Sequence, residues 1–512
     1  MNSKIVLHNL GHLAIILGCL MLLPAMVSIF YREPAGAFSF LVAAILAGAS
    51  GLVMKRMGVG EEMGHKEAFA TVAFGWLLAA AIGAIPYVFL GLSPLDAFFE
   101  SMSGFTTAGA TILTEFDSQG YWTLSEAAAA EGSIALGSVG DFLPLSGSET
   151  IFGLLFWRSF TQFLGGMGII LLFIAVLPHL GVAGRELYSV EGLGLTKEAL
   201  TPHVKNTAKI FWSIYLGLVG IQAVALAALG LPIYDAVCTA FTSLATGGFS
   251  PRADSIAAYD SPLVDAVVCI FLLIGGTSFL LHYRILLKRE YSAPFKDPEF
   301  RLYLFIMAAA VSILMIWGGI DEDLSTRFRY SAFQAASIMT TTGYVNNFSY
   351  DSWSLASKFA LIILMLIGGS TGSTGGGIKV GRFLIILKHA RNEFLRLVHP
   401  HAVTSLKVGE ETVPGDILRS VQLFMLLYFM IFLLASFAFA VTEAENSSFD
   451  AISAISASAC TMGVIGPGYG VVAVDFGQVS LLGRFLGIVL MYLGRLEIIT
   501  FLVLLVPDFW RR

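Results

Sequence analysis

Four stretches of the sequence combine Thr, Gly and small residues in a pattern that could replace the hydration shell of a cation. They read Asp96-AFFESMSGFTTA-Gly109, Asp235-AVCTAFTSLATG-Gly248, Tyr330-SAFQAASIMTTT-Gly343 and Asp450-AISAISASACTM-Gly463. Each places its glycine 13 residues after the first residue named, with a threonine two before the glycine: Thr107, Thr246, Thr341 and Thr461. The chemistry is that of backbone carbonyls, whose partial negative charge takes over from water when several converge on one ion. Turning successive carbonyls toward one axis needs backbone angles that glycine adopts without penalty. The candidate ion-binding residues are Thr107, Ala108 and Gly109; Thr246, Gly247 and Gly248; Thr341, Thr342 and Gly343; and Thr461, Met462 and Gly463. One Thr-x-Gly in a membrane protein is a chance event, but four in a fixed register are not.

Such loops must be carried by elements that enter the membrane without crossing it. About 12 helical residues reach roughly 18 Å, a little over half the hydrocarbon thickness. Three of the four stretches begin at Asp, which suits a helix start by capping exposed N–H groups and opposing the positive end of the helix dipole; the third begins at Tyr330 instead. The negative end of each half-helix then points to the membrane interior. The returning strand is non-helical, which is tolerated at that depth only where it is buried in protein or lines a watery cavity. The first two approaches are alike, Gly91-LSPL-Asp96 and Gly230-LPIY-Asp235.

The rest of the chain is built to hold these loops in lipid. Hydrophobic residues make up 56% of the 512 and charged residues only 13%, with mean hydropathy +0.79, so polar groups are too scarce to cover a water-facing surface. Windows of spanning length free of Asp, Glu, Lys and Arg occur at 5–31, 34–54, 68–95, 159–184, 210–234, 266–283, 302–320, 359–378 and 420–442, and a tenth at 479–506 is interrupted by Arg495 and Glu497. Basic residues gather in alternate connections (Lys55, Arg56 and Lys66; Arg185, Lys197, Lys205 and Lys209; Arg284 to Arg301; Lys388 to Lys407; Arg511 and Arg512). The positive-inside rule makes those connections and both termini cytoplasmic and fits ten crossings. The opposite connections are acidic, and 112–150 forms a long external one. The fold class expected is an all-α polytopic membrane protein: two extra N-terminal helices in 1–66, then four helix, pore-loop, helix repeats in 67–184, 205–290, 298–396 and 414–512. Nine scattered histidines and four cysteines in apolar segments make no metal-ligand or nucleophile cluster, which argues against an enzyme.

These residues resemble the Trk/Ktr/HKT superfamily of cation transporters, most closely its bacterial Trk-type pore subunits. Supporting stretches are Phe156-WRSFTQFLGGMG, Ile367-GGSTGSTGGGIKVGR and Gly494-RLE. The resemblance covers essentially the whole chain. It implies K+ as the transported ion, held at the filter residues, no covalently bound cofactor, a homodimer in the cell (inner) membrane, and a cytoplasmic nucleotide-binding regulatory subunit. In this superfamily four filter glycines go with K+, and a Ser at the first goes with Na+.

Residues 368–377 read GGSTGSTGGG (Gly368, Gly369, Ser370, Thr371, Gly372, Ser373, Thr374, Gly375, Gly376 and Gly377). With a penalty of about 1 kcal/mol per Gly relative to Ala, no helix should hold there. The resemblance implies that this broken segment obstructs the inner path beneath the filter. A charge such as Arg495 within a span costs about 2.5–3.5 kcal/mol, so it should face protein or water; Glu497, two positions on, points to another side of the helix. The resemblance puts Arg495 on the pore axis as a barrier to cations. Lys379 and Arg382 fit either the gate or the inner interface. An alternative is a secondary transporter coupled to H+ or Na+, for which Glu497 is the clear candidate acid within a span.

Overall fold

The computed structural model describes residues 1–61, 63–124, 151–176, 204–347, 352–401, 405–409 and 411–511. Arg185, Lys197, the end of the 159–184 window and most of the 112–150 connection lie outside the described residues. Apart from two short β-hairpins, Glu115–Phe116 with Trp122–Thr123 and Lys407–Val408 with Glu411–Thr412, regular structure among the described residues is helical.

The N-terminal pair is α1 (Ser3–Leu20) continued by α2 (Leu22–Phe30), packed against α3 (Pro34–Met57). The helices approach through glycine: a methyl on Gly11 would stand 2.7 Å from the Gly51 carbonyl oxygen. In lipid, where apolar burial drives little, close backbone packing of this kind holds helices together.

The order helix, half-helix, loop, helix then recurs. It is carried first by α4 (His65–Phe89), α5 (Pro94–Thr106) and α6 (Phe152–Val176), and next by α7 (Val204–Ala228), α8 (Ile233–Leu244) and α9 (Pro262–Gly275) with α10 (Phe279–Leu286). It continues through α11 (Pro298–Trp317), α12 (Leu324–Met339), α13 (Leu355–Leu366) and α14 (Val380–Val398). The last set is α15 (Gly415–Thr442), α16 (Ala451–Gly463) and α17 (Leu481–Arg495) with α18 (Ile499–Leu504).

Among the described residues six helical stretches are long and apolar enough to cross a membrane, and α9 with α10, bent by 102°, make a seventh. Two other expected spans are broken. The 359–378 window is the helix α13 followed by an irregular loop, and the 479–506 window breaks at Glu497 and Ile498, both at positive φ (55° and 29°). Apolar side chains such as Phe30, Val224, Phe305 and Phe437 face outward, as a lipid-facing surface requires. The half-helices are buried along their C-terminal turns.

Asp450 caps α16 as expected, accepting from Ser453 N at 2.7 Å, but the other three half-helix starts differ from the expectation. Asp96 and Asp235 lie in the first turn; Ser93 caps α5 and Pro232 precedes α8. The third half-helix does not begin at Tyr330 but at Leu324, capped by Asp323, which accepts from Ser325 N at 3.1 Å. Hydroxyl donors from Ser325 and Thr326 pull the Asp323 carboxyl down to about 2.

Candidate ion pathway

The C-terminal ends of α5, α8, α12 and α16 converge, and each is followed by a residue in the left-handed region and then, two positions on, a glycine there too. In the first three loops these pairs are Thr107 and Gly109 (φ 58° and 75°), Thr246 and Gly248 (53° and 79°), and Thr341 and Gly343 (60° and 82°). In the fourth they are Val464 and Gly466 (61° and 104°). Thr461, Met462 and Gly463 therefore do not occupy the register expected of them: they form the last turn of α16, where Thr461 Oγ1 donates to Ala457 O at 2.6 Å. The spacing that repeats is from helix start to left-handed residue. It is 13 positions from Pro94 to Thr107, from Ile233 to Thr246 and from Ala451 to Val464.

The four glycines close a ring. A methyl on Gly109 would stand 2.2 Å from Gly247 O, one on Gly248 1.8 Å from Thr342 O, and one on Gly343 1.9 Å from Ile465 O. One on Gly466 would stand 2.8 Å from Ala108 O. Each missing side chain thus makes room for the carbonyl of the residue that precedes the glycine in the neighbouring loop. Glycine is required twice over here, by positive φ and by close approach. The corners are unequal: Gly247 O accepts from Gln162 Nε2 at 2.7 Å, and Gln162 Oε1 accepts from Phe249 N at 3.0 Å.

On one side the ring opens into a cavity of about 660 Å³ lined by Gly109, Gly248, Gly343 and Pro467 from the four loops, with Asp254 and Asp475 as well as Arg158 and Arg252 at its wall. Burial raises the Asp475 carboxyl above its ordinary range. Behind the ring the buried pair Glu100 and Arg158 meets at 2.7 Å. Glu100 also accepts from Ile112 N at 3.0 Å, and Arg158 Nη2 donates to Thr111 Oγ1 at 3.0 Å. Arg158 stacks over the Phe249 ring 4.2 Å from its centre, so one ion pair joins the first loop to the second.

On the other side of the ring lies the segment 368–377. Gly368 N donates to Ile378 O at 2.9 Å, closing its base, and a methyl on Gly368 would stand 2.0 Å from Gly376 O. Two of the threonines expected to face the ion instead hold this segment: Thr341 Oγ1 accepts from Gly376 N at 2.7 Å, and Thr246 Oγ1 lies 3.2 Å from Thr374 Oγ1. Lys379 Nζ donates to Gly375 O, and Arg495 donates to Thr374 O and to Gly165 O, both at 2.9 Å. Arg495 is 2% exposed, and among the described residues it makes no ion pair. Glu497 pairs with Arg382, which lies over the Phe424 ring rather than in the segment itself. Ser370 and Ser373 hydroxyls are buried there without a partner among the described residues.

Sequence reading passed over Glu100, Arg158, Gln162 and Glu299 as working residues. Arg158 and Gln162 lie in Phe156-WRSFTQFLGGMG, a stretch whose spacing alone points to no chemistry. Glu100 and Glu299 are buried acids that lie outside the long charge-free windows. Both sit near helix starts or in a half-helix, where an acid reads as an interface residue.

Comparison with known proteins agrees with this architecture. The family model described as TrkH, cation transport protein, matches residues 36–512. The Trk system potassium uptake protein TrkH of Salmonella typhimurium is 36% identical over 519 residues, with 100% of both chains covered. The TrkG protein of Escherichia coli is 30% identical, covering 100% of this chain and 99% of its own. The crystal structure of the potassium transporter TrkH from Vibrio parahaemolyticus is similar with a TM-score of 0.84 at 32% identity, covering 100% of each chain. A family match over most of the chain, relatives alike from end to end and a shared fold lead to one conclusion: this chain belongs to the TrkH family of cation transport proteins.

Proposed function

We propose that the chain conducts K+ into the cell through the ring of carbonyls preceding Gly109, Gly248, Gly343 and Gly466. The observation that carries this reading is the closed contact of each glycine with the neighbouring loop's carbonyl. A narrow ring of carbonyls can substitute for the water shell of a weakly hydrated monovalent ion. The relatives named for potassium uptake support the choice of ion. The cavity is the outer mouth, and both termini with the basic connections are cytoplasmic. The four repeats behave as the pore-forming units, and the N-terminal pair braces the first of them. The chain acts as a homodimer with a cytoplasmic nucleotide-binding subunit that regulates it.

The test is Rb+ and Na+ flux in proteoliposomes. Wild type passes Rb+ at least about tenfold faster than Na+, and Gly109→Ser, whose side chain must displace Gly247 O, loses most of that preference. Equal flux of both ions in wild type overturns the K+ reading.

The segment 368–377 with Arg495 is the gate. A buried cation on the path opposes another cation, and removing it lowers the barrier by enough for about a tenfold rise in flux. Arg495→Ala is accordingly expected to raise partner-independent Rb+ flux about tenfold, while unchanged flux from correctly inserted protein removes Arg495 from the gate. Channel-like permeation predicts a reversal potential that follows the K+ gradient alone. A shift with pH or Na+ gradient would mark the chain as a coupled transporter.

A further inference from the structure

We infer that the Glu299 carboxylate is the latch that keeps the segment 368–377 across the pathway, a positioning residue for the gate; this rests on reading that segment as the gate. Glu299 stands at the start of α11, outside the segment, yet a single oxygen of its carboxylate gathers three donors from it and its continuation. Thr371 N donates at 2.6 Å, Thr371 Oγ1 at 3.0 Å and Gly381 N at 2.8 Å. Thr371 lies within the segment and Gly381 in the first turn of α14, so the carboxylate staples the two arms that must part if the segment is to withdraw. The fit is close: a methyl on Gly381 would stand 2.7 Å from Thr371 Oγ1 and 3.2 Å from Glu299 Oε1.

The carboxylate is held in place from behind. Asp297 Oδ1 accepts from Glu299 N at 2.8 Å and from Phe300 N at 3.1 Å, capping α11 and fixing the direction of the Glu299 side chain. Glu299 is 4% exposed, and among the described residues no Lys or Arg forms a salt bridge with it. A buried acid outside any ion pair is costly and persists only where its hydrogen bonds matter. An ionised acceptor makes bonds about twice as strong as a neutral one, so a Gln in this position would hold the arms less firmly. The segment is also tied to the filter side (Thr246, Thr341), to Arg495, and to the α9–α10 junction, where Ser370 N donates to Gly276 O at 2.8 Å and Phe279 N to Gly372 O at 3.0 Å; Glu299 is its attachment to α11.

The experiment uses the full chain in proteoliposomes without its regulatory partner, comparing wild type, Glu299→Ala, Glu299→Gln, Thr371→Val and Arg495→Ala. With two or three charge-assisted bonds lost, Glu299→Ala is expected to raise basal Rb+ flux about tenfold, with Thr371→Val and Glu299→Gln between it and wild type. The Rb+ over Na+ ratio stays at the wild-type value in all three, which a general loss of structure would not allow. Should Glu299→Ala fail to insert, the graded rise in Thr371→Val and Glu299→Gln carries the test alone. Wild-type flux in the Glu299 and Thr371 variants while Arg495→Ala is raised overturns the latch and leaves the gate. Wild-type flux in every variant, Arg495→Ala included, overturns the gate itself.

Discussion

Gly466→Ala is expected to abolish Rb+ over Na+ selectivity and to cut Rb+ flux by more than about tenfold, whereas Gly463→Ala keeps the selectivity of wild type. Gly466 has φ 104°, and a methyl there would stand 2.7 Å from the Gly109 carbonyl carbon and 2.8 Å from Ala108 O. The dihedral strain alone is of order 1–3 kcal/mol. The contact cannot be relieved by a flexible side chain, because both atoms are backbone of the first loop. Relief must come from moving one loop away from the other, which widens the ring at the corner where the fourth loop meets the first. An ion coordinated through that corner loses an oxygen at the right distance, and discrimination between ions of different size falls with it. Gly463, by contrast, is helical, and its methyl would meet Met365 O at 2.6 Å in the broken span that leads to 368–377. Its substitution therefore bears on helix packing and stability rather than on the ring. Flux ratios for the two variants, read beside their melting temperatures in detergent, separate the effects. Selectivity lost in Gly463→Ala and kept in Gly466→Ala would restore Gly463 to the filter.

That contrast shows what the chain's pattern conveys and what it hides. The half-helix ends and the three Thr-x-Gly loops are legible because positive φ and short polar side chains leave a compositional trace. The fourth loop has no such trace at its left-handed residue, which is Val464, a β-branched residue that local preference keeps out of that region. Only packing against the neighbouring loops holds it there, so a match on Thr and Gly alone stops one helical turn early, at Thr461 and Gly463. Gly466-Pro467 is the signal that was open to reading, since a residue before proline is driven out of the helical region. The third half-helix is longer than the Tyr330 start implies for a related reason. Arg327, Arg329 and Tyr330 look like a connection, yet Asp323 caps a helix that already includes them. Long spans and the break at 368–377 follow from apolar length and glycine content, which need no tertiary information. The pairing of Glu100 with Arg158, 58 positions apart, needs it entirely.

That pair gives the second large effect. Arg158→Ala or Glu100→Ala alone is expected to destabilise the chain by about 3–5 kcal/mol, because each leaves a buried charge without its partner. The side chains of Arg158 and Glu100 are 2% and 0% exposed, so water cannot take over. A double variant with apolar side chains of similar volume, Glu100→Leu with Arg158→Met, should recover most of that loss, since replacing both charges removes the desolvation penalty along with the attraction. Function should not recover in parallel. Glu100 fixes Thr111 and Ile112 N just beyond Gly109, and Arg158 reaches Thr111 and the Ser250 carbonyl just beyond Gly248. Apolar replacements restore packing but supply none of these directional bonds, so the outgoing strands of two adjacent filter loops lose their common anchor. The expected outcome is a double variant that melts near wild type and passes Rb+, yet with a Rb+ over Na+ ratio reduced about tenfold for a loss near 1.4 kcal/mol of discrimination. A double-mutant cycle in melting, run beside the flux ratio, decides it. If selectivity returns together with stability, the ion pair serves only the packing of α5 against α6, and the ring is held by its glycine contacts without it.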